Sequence, residues 1–163
     1  MNGAMMLPEF DHEFAQTRRT LERVPLDQAD WTPHEKSFSL GALAAHLADI
    51  PRWVPMTITQ DELEMDGSYE MPMHGQTEEL LAYFDEGLAE ARALIEGATG
   101  DDLMATWSMK QGGKVTLSMP KVAVLRGFIF NHNIHQRAQL GVYFRLLDVP
   151  VPSIYGPSAD EQG

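Results

Sequence analysis

Residues 120–147, "PKVAVLRGFIFNHNIHQRAQLGVYFRLL", form the longest stretch of the sequence with helical spacing of apolar residues. Residues three or four apart lie on the same side of an α-helix, so a repeat of this kind predicts one buried face. That face is marked by Leu125, Ile129, Val142 and Leu146. Pro150 cannot continue a helix. The stretch therefore predicts a long final helix against which other helices can pack.

Three earlier segments predict helices for the same reason. The first carries apolar residues from Phe10 to Val24 and is bounded by Pro8 and Pro25. The second begins near Ser39, a suitable N-cap, and runs to about Ile50. The third begins after Thr77 and closes near Gly97. Four amphipathic helices in one chain predict a four-helix bundle.

The connection between the third and fourth helices has a different pattern. Residues 106–117, "TWSMKQGGKVTL", alternate apolar and polar side chains on both sides of a glycine pair. This alternation predicts a small β-hairpin. Residues 61–76 are acidic and interrupted by glycine and proline, which predicts a loop. The expected fold is all-α, a single domain over residues 1–163, with one long crossover and a hairpin between helices 3 and 4.

The charge balance limits the classes of partner. The chain has 12 basic and 24 acidic residues, a net charge of -12. Such a surface repels phosphate backbones and anionic lipid, so we expect neither a nucleic-acid nor a membrane partner. The sequence shows no secretion signal and no apolar run long enough to span a bilayer, so we expect a cytoplasmic protein. It contains no cysteine, so a thiol in its chemistry would come from a co-substrate.

Histidines on two predicted helices are the strongest candidates for a site. His132 follows Ile129 by three residues in the last helix and is expected to face inward. His135 lies three residues further on and Gln136 four, so either side chain can share a ligand with His132. His46, within "LGALAAHLADI" (residues 40–50), falls on the apolar face of the second helix.

Two interpretations of these histidines stay open. Burying an imidazole without partners costs about 1–3 kcal/mol, and a divalent ion can offset that cost. Three protein ligands with one open position are typical of a catalytic zinc site. Alternatively, each histidine is an ordinary core or surface side chain, since two histidines three apart are a weak signal alone. His12, His34 and His74 are expected to face solvent.

Three stretches of the chain resemble the DinB superfamily, including its YfiT-like proteins. They are residues 31–53, "WTPHEKSFSLGALAAHLADIPRW", residues 131–152, "NHNIHQRAQLGVYFRLLDVPVP", and residues 155–161, "YGPSADE". The resemblance covers nearly the whole chain in order. It implies an up-down-down-up four-helix bundle that often forms dimers. It also implies a divalent metal held by one histidine on helix two and two on helix four.

The resemblance can be transferred residue by residue. His46 matches the ligand on helix two, and His132 matches the first ligand on helix four. The second ligand on helix four normally comes four residues later, where this sequence has Gln136. An amide oxygen is a poorer ligand for zinc or nickel than an imidazole. Either His135 takes the third position, giving the set His46, His132 and His135, or the metal site is weakened or lost.

The function implied by the resemblance is a metal-dependent transferase or isomerase. It would use a low-molecular-weight thiol as co-substrate to attack a small electrophilic substrate, and metal-activated water is a hydrolytic variant. The alternative is a non-enzymatic dimeric helical bundle that binds a small ligand and keeps a vestigial metal site. A homodimer is expected in both cases.

Overall fold

The computed structural model describes residues 2–162 and is mostly helical, with a small three-stranded sheet. Its α-helices are α1 (Leu7–Leu21), α2 (Leu40–Asp49), α3 (Trp53–Ile58), α4 (Thr77–Gly97), α5 (Gly100–Met104), α6 (Lys121–Val124) and α7 (His132–Leu146). Short 3-10 turns span Gly3–Met6, Leu26–Gln28 and Ile50–Arg52. Within residues 2–162, no helix combines the length and the apolar character that crossing a membrane requires.

The predicted last helix is continuous but not regular. A π-helical segment, Leu125–Asn131, joins α6 to α7. A π-turn holds more residues than an α-turn, so the residues after this segment are turned by roughly one position, about 100°. The prediction that Val142 and Leu146 are buried is therefore wrong, since they are 59% and 58% exposed. The core instead receives Leu140, Tyr143 and Phe144.

The sheet consists of β1 (Glu62–Glu64), β2 (Thr106–Gln111) and β3 (Lys114–Pro120). β2 and β3 are antiparallel, and their turn contains Gly112 and Gly113, both with positive φ. β1 pairs in parallel with β2, which the prediction of a loop over residues 61–76 did not include. β1 is short and mostly exposed, so no periodic apolar pattern marks it; its pairing with the edge of β2 produces the strand.

The core lies between the longer helices. α1 packs against α4 and α7, and α2 packs against the same two helices. Phenylalanine rings from α1 and the π segment meet there, with centroids 4.4 Å apart for Phe10 and Phe14 and 5.8 Å for Phe10 and Phe130. The predicted N-cap of α2 is confirmed, because Ser39 Oγ accepts a hydrogen bond from the backbone N–H of Ala42 at 3.3 Å.

A buried ion pair fastens α1, α7 and the C-terminal tail together. Arg137 Nη2 lies 2.7 Å from Glu13 Oε2, and both side chains are almost fully buried. The Tyr155 hydroxyl donates to the same carboxylate oxygen at 2.6 Å. The Arg137 side chain therefore points from α7 into the molecule and contacts both α1 and the tail.

Candidate functional site

His46 and His132 meet inside the molecule, as the sequence suggested. His46 lies in the last turn of α2, and His132 is the first residue of α7 after the π segment. Their Nε2 atoms are 2.8 Å apart, and both side chains are half-buried. At this distance one ring can donate an N–H to the other, or both lone pairs can point to a shared ion. Two different helices thus bring two imidazole nitrogens to one point.

The surroundings of the pair favour uncharged imidazoles. Burial lowers the pKa of His46, and the charge of Asp49 partly opposes this effect. Burial also lowers the pKa of His132, with further contributions from His46 and His135. A neutral imidazole is the form that binds a metal. The local environment therefore keeps the lone pairs available at neutral pH.

The position beside the pair is filled by Gln136. Gln136 Nε2 lies 3.2 Å from His132 Nε2, and the residue is 9% exposed. His135 is exposed, and its Nε2 is 2.6 Å from Gln139 Nε2. Relative to His132, the centre of the buried face of α7 lies at about +80°, Gln136 at about +40° and His135 at about -60°. His135 therefore points toward solvent, and the two imidazoles converge without it.

The residues present fit a metal ion in part. Two nitrogens bound tetrahedrally to one zinc lie about 3.3 Å apart, slightly more than the distance between the two Nε2 atoms. Gln136 Oε1 is buried and has no hydrogen-bond partner among residues 2–162. Rotating this amide by about 180° would turn the oxygen toward His132. Within residues 2–162, no three histidine, aspartate or glutamate side chains are grouped to hold one ion. A third donor would be this amide oxygen.

Aromatic side chains flank the imidazole pair. The Trp53 ring lies 5.5 Å from the His46 ring and 5.4 Å from the His132 ring. Phe38 is exposed, and its ring lies 5.8 Å from His46 on the segment before α2. The Tyr143 hydroxyl donates to the Phe38 carbonyl at 3.0 Å and holds that segment. The pair therefore sits between apolar ring surfaces, one of them open to solvent.

A buried carboxylate lies one helical turn after His46. Asp49 is 1% exposed and accepts hydrogen bonds from Trp53 Nε1 at 2.9 Å, the Tyr69 hydroxyl at 2.5 Å and the Tyr83 hydroxyl at 2.7 Å. Burial and the bond to Asp49 raise the pKa of both tyrosines, so they remain protonated donors. Sequence reasoning missed this cluster, although an aspartate among apolar residues of α2 was a usable signal.

The remaining histidines divide into two groups. His12 and His34 are exposed, as predicted. The prediction for His74 is wrong, because it is half-buried with its ring 4.9 Å from Tyr83. Burial lowers the pKa of His74. His74 lies in a loop 9 residues before Tyr83, so sequence spacing alone could not predict the contact between their rings.

Comparisons with known proteins agree with this architecture. A DinB-like protein from Bacillus cereus is 16% identical, with a TM-score of 0.72 over 92% of this chain and 95% of that one. A DinB-like protein from Bacillus subtilis is also 16% identical, with a TM-score of 0.70 over 97% and 98% of the two chains. These likenesses show the fold. No curated protein sequence matches the chain. The model of the DinB superfamily matches residues 9–140, and the chain belongs to that superfamily.

Proposed function

We propose that the chain is a divalent-metal-dependent enzyme of the DinB type that acts on a small electrophile with a low-molecular-weight thiol. The observation that carries this proposal is the 2.8 Å separation of His46 Nε2 and His132 Nε2 at a half-buried position. The lack of cysteine leaves the thiol to a co-substrate. In this proposal α1, α2, α4 and the continuous helix ending in α7 form the up-down-down-up bundle that holds the site.

Each residue of the site has a defined part in this proposal. His46 and His132 would hold a zinc or nickel ion through Nε2, with Gln136 Oε1 as a weak third donor. When bound, the ion supplies a Lewis acid that lowers the pKa of a thiol or a water molecule at its open position. Trp53 and Phe38 provide apolar surface for the carbon skeleton of the electrophile, as the walls of small-molecule sites commonly do.

A second function is favoured by the nature of the third position. Gln136 is a neutral amide, and a hydrogen bond between the two imidazoles would satisfy both without an ion. On this alternative the chain is a non-enzymatic dimeric bundle that binds a small ligand beside a vestigial metal site. The two functions differ in whether the imidazole pair binds a transition metal.

Metal titration separates the two functions. We expect metal-free protein, competed against a chromophoric chelator, to bind about one Zn²⁺ per chain. His46→Ala or His132→Ala should weaken this binding at least about tenfold, equal to about 1.4 kcal/mol. His135→Ala is the matched control, because it removes an exposed imidazole one turn from His132 and should leave the affinity unchanged. Equal losses in all three variants, or no binding at all, would contradict the proposal.

The reaction needs a separate measurement. Metal-loaded protein should consume a low-molecular-weight thiol in the presence of a small aromatic electrophile, and His132→Ala should lose this activity. Loss of substrate without loss of thiol would instead support the hydrolytic variant. Metal binding without either reaction would contradict the proposed reaction and leave the metal site without an assigned chemistry.

A homodimer, a cytoplasmic location and the lack of a nucleic-acid partner complete the proposal. The exposed Val142 and Leu146 lie on α7 and offer apolar surface to a second copy. Sedimentation equilibrium should give twice the chain mass, and Leu146→Glu should shift the protein toward the monomer. A monomeric native protein would remove the dimer from the proposal.

A further inference from the structure

Residues 65–76 connect β1 to α4 without regular secondary structure, and most of them are exposed. Two side chains of this connection, Tyr69 and His74, contact the helices. The Tyr69 hydroxyl donates to Asp49 Oδ1 at 2.5 Å although the residue is 58% exposed. The His74 ring lies 4.9 Å from the ring of Tyr83. The connection is therefore attached by a few side-chain contacts near the site.

Asp49 connects these contacts to the imidazole pair. Its Oδ1 accepts from Tyr69, and its Oδ2 accepts from Trp53 Nε1 at 2.9 Å. The Trp53 ring in turn lies about equally far from His46 and His132, at 5.5 and 5.4 Å. One buried carboxylate thus holds the exposed connection with one oxygen and the wall of the site with the other.

The Asp49 carboxylate is stabilised by its hydrogen-bond donors. Asp49 is 1% exposed, and its hydrogen-bond donors among residues 2–162 are one indole and two phenols, all neutral. A buried carboxylate that loses a donor incurs a desolvation cost, so release of Tyr69 favours rearrangement of the remaining partners. Trp53 is one of those partners, and it is the one that contacts the imidazoles.

We propose that residues 65–76 form a cover beside the imidazole pair, latched by Tyr69, and that Asp49 is the positioning residue that couples the latch to Trp53. When Tyr69 is bound, Asp49 holds the Trp53 indole against His46 and His132. When Tyr69 leaves, residues 65–76 open, and the indole hydrogen bond to Asp49 changes with them. The inference stands whether or not a metal binds, because its contacts are made by the chain alone.

Two tyrosines that donate to the same oxygen allow a matched test. Tyr69→Phe removes the hydroxyl of the cover, whereas Tyr83→Phe removes the hydroxyl of α4 and leaves Tyr69 in place. We expect Tyr69→Phe to speed amide exchange in residues 65–76 about tenfold or more and to shift the Trp53 indole N–H signal of ¹⁵N-labelled protein. Tyr83→Phe should leave exchange in residues 65–76 within about twofold of the native protein.

Asp49→Asn tests the coupling itself, because it keeps the shape of the side chain and removes its charge. It should reproduce both effects of Tyr69→Phe, and the tyrosine variants decide the matter if Asp49→Asn does not fold. Unchanged exchange in Tyr69→Phe would overturn the latch. Faster exchange without a shift of the Trp53 signal would overturn the coupling, as would equal release of residues 65–76 in Tyr83→Phe. Amide exchange and the Trp53 signal do not depend on metal binding or activity. This inference can therefore be overturned while the proposed function stands, and the reverse.

Discussion

In the proposed metal site, the side chain at position 136 determines whether a third imidazole can join His46 and His132. Gln136 lies against His132 on the buried side of α7, whereas His135 lies on the exposed side. An imidazole at position 136 would therefore share the point where His46 and His132 meet. Spacing along the helix allows either His135 or Gln136 to lie beside His132. The orientation of the buried face of α7 decides that it is Gln136.

We predict that Gln136→His raises zinc affinity at least about tenfold, because an imidazole replaces a weak amide donor. Competition against a chromophoric chelator measures the change. Combining Gln136→His with His135→Ala should keep the whole gain. If the gain disappears in that double variant, His135 contributes to the site.

The buried pair of Glu13 and Arg137 should be far more sensitive to substitution than a surface pair. Glu13→Gln leaves the Arg137 charge buried without its partner, and we predict a loss of about 3–5 kcal/mol in the free energy of unfolding. Asp85→Asn is the control, because the pair of Arg18 and Asp85 is well exposed and should contribute less than about 1 kcal/mol. Urea unfolding measures the loss of stability in both variants. Similar losses would show that burial does not make the Glu13–Arg137 pair more sensitive to substitution.

At the scale of elements, the π segment is the feature that places the site. It lies directly before His132 and turns the residues that follow relative to a regular helix. If a regular helix continued from the buried residues Lys121, Val124 and Leu125, His135 would lie about 35° from the centre of their face and Gln136 about 65° from it. The π segment instead turns Gln136 toward the buried side of α7 and His135 toward solvent. The same turn explains why His135 is exposed and why the assignment of Val142 and Leu146 to the core is wrong.

Deleting Gly127 tests this role. The residue is exposed, and nothing lies near a side chain added there. Removing one residue from a π segment restores α-helical spacing while keeping the faces on both sides aligned, so we predict a folded protein with helical circular dichroism close to native.

Deleting Ala138, an exposed residue of α7, is the matched control. It turns Leu140, Tyr143 and Phe144 away from the core, and each apolar side chain exposed costs about 1.5–3 kcal/mol. That sum approaches the whole stability of a typical domain. A thermal midpoint that falls equally in the two deletions would contradict the assigned role of the π segment.

At the scale of the whole molecule, the C-terminal tail is held to α1 by charge. Glu161 accepts hydrogen bonds from the backbone N–H of Ser153 at 2.9 Å and from the guanidinium groups of Arg23 and Arg19. The hydrogen bond from Ser153, and after it the bond and charge of Arg23, lower the pKa of Glu161 from 4.5 to about 2. The tail also carries Tyr155, which bonds to Glu13, so its position affects the buried ion pair.

We predict that the tail loosens in acid. A carboxyl whose pKa is depressed by folding contributes stability above its unfolded pKa and loses it as pH falls through its folded pKa. For Glu161 the contribution is complete above pH 4.5 and is lost progressively down to about pH 2. NMR titration of the Glu161 carboxyl carbon and amide exchange over residues 150–161 measure this loss. Glu161→Gln should show fast exchange at neutral pH, and a Glu161 midpoint near 4.5 would disprove the attachment.

The family, the helical character of the chain, the N-cap at Ser39 and the convergence of His46 and His132 could all be predicted from the sequence. They depend on local periodicity, capping chemistry and recognisable stretches, which neighbouring residues determine. Only the tertiary structure decided the strand at Glu62–Glu64 and the direction in which the buried face of the last helix points. It also decided that Gln136 lies beside His132, and it formed the hydrogen bonds of Asp49. Each depends on contacts between residues distant in sequence, and a π segment shifts every later side chain without any change in composition.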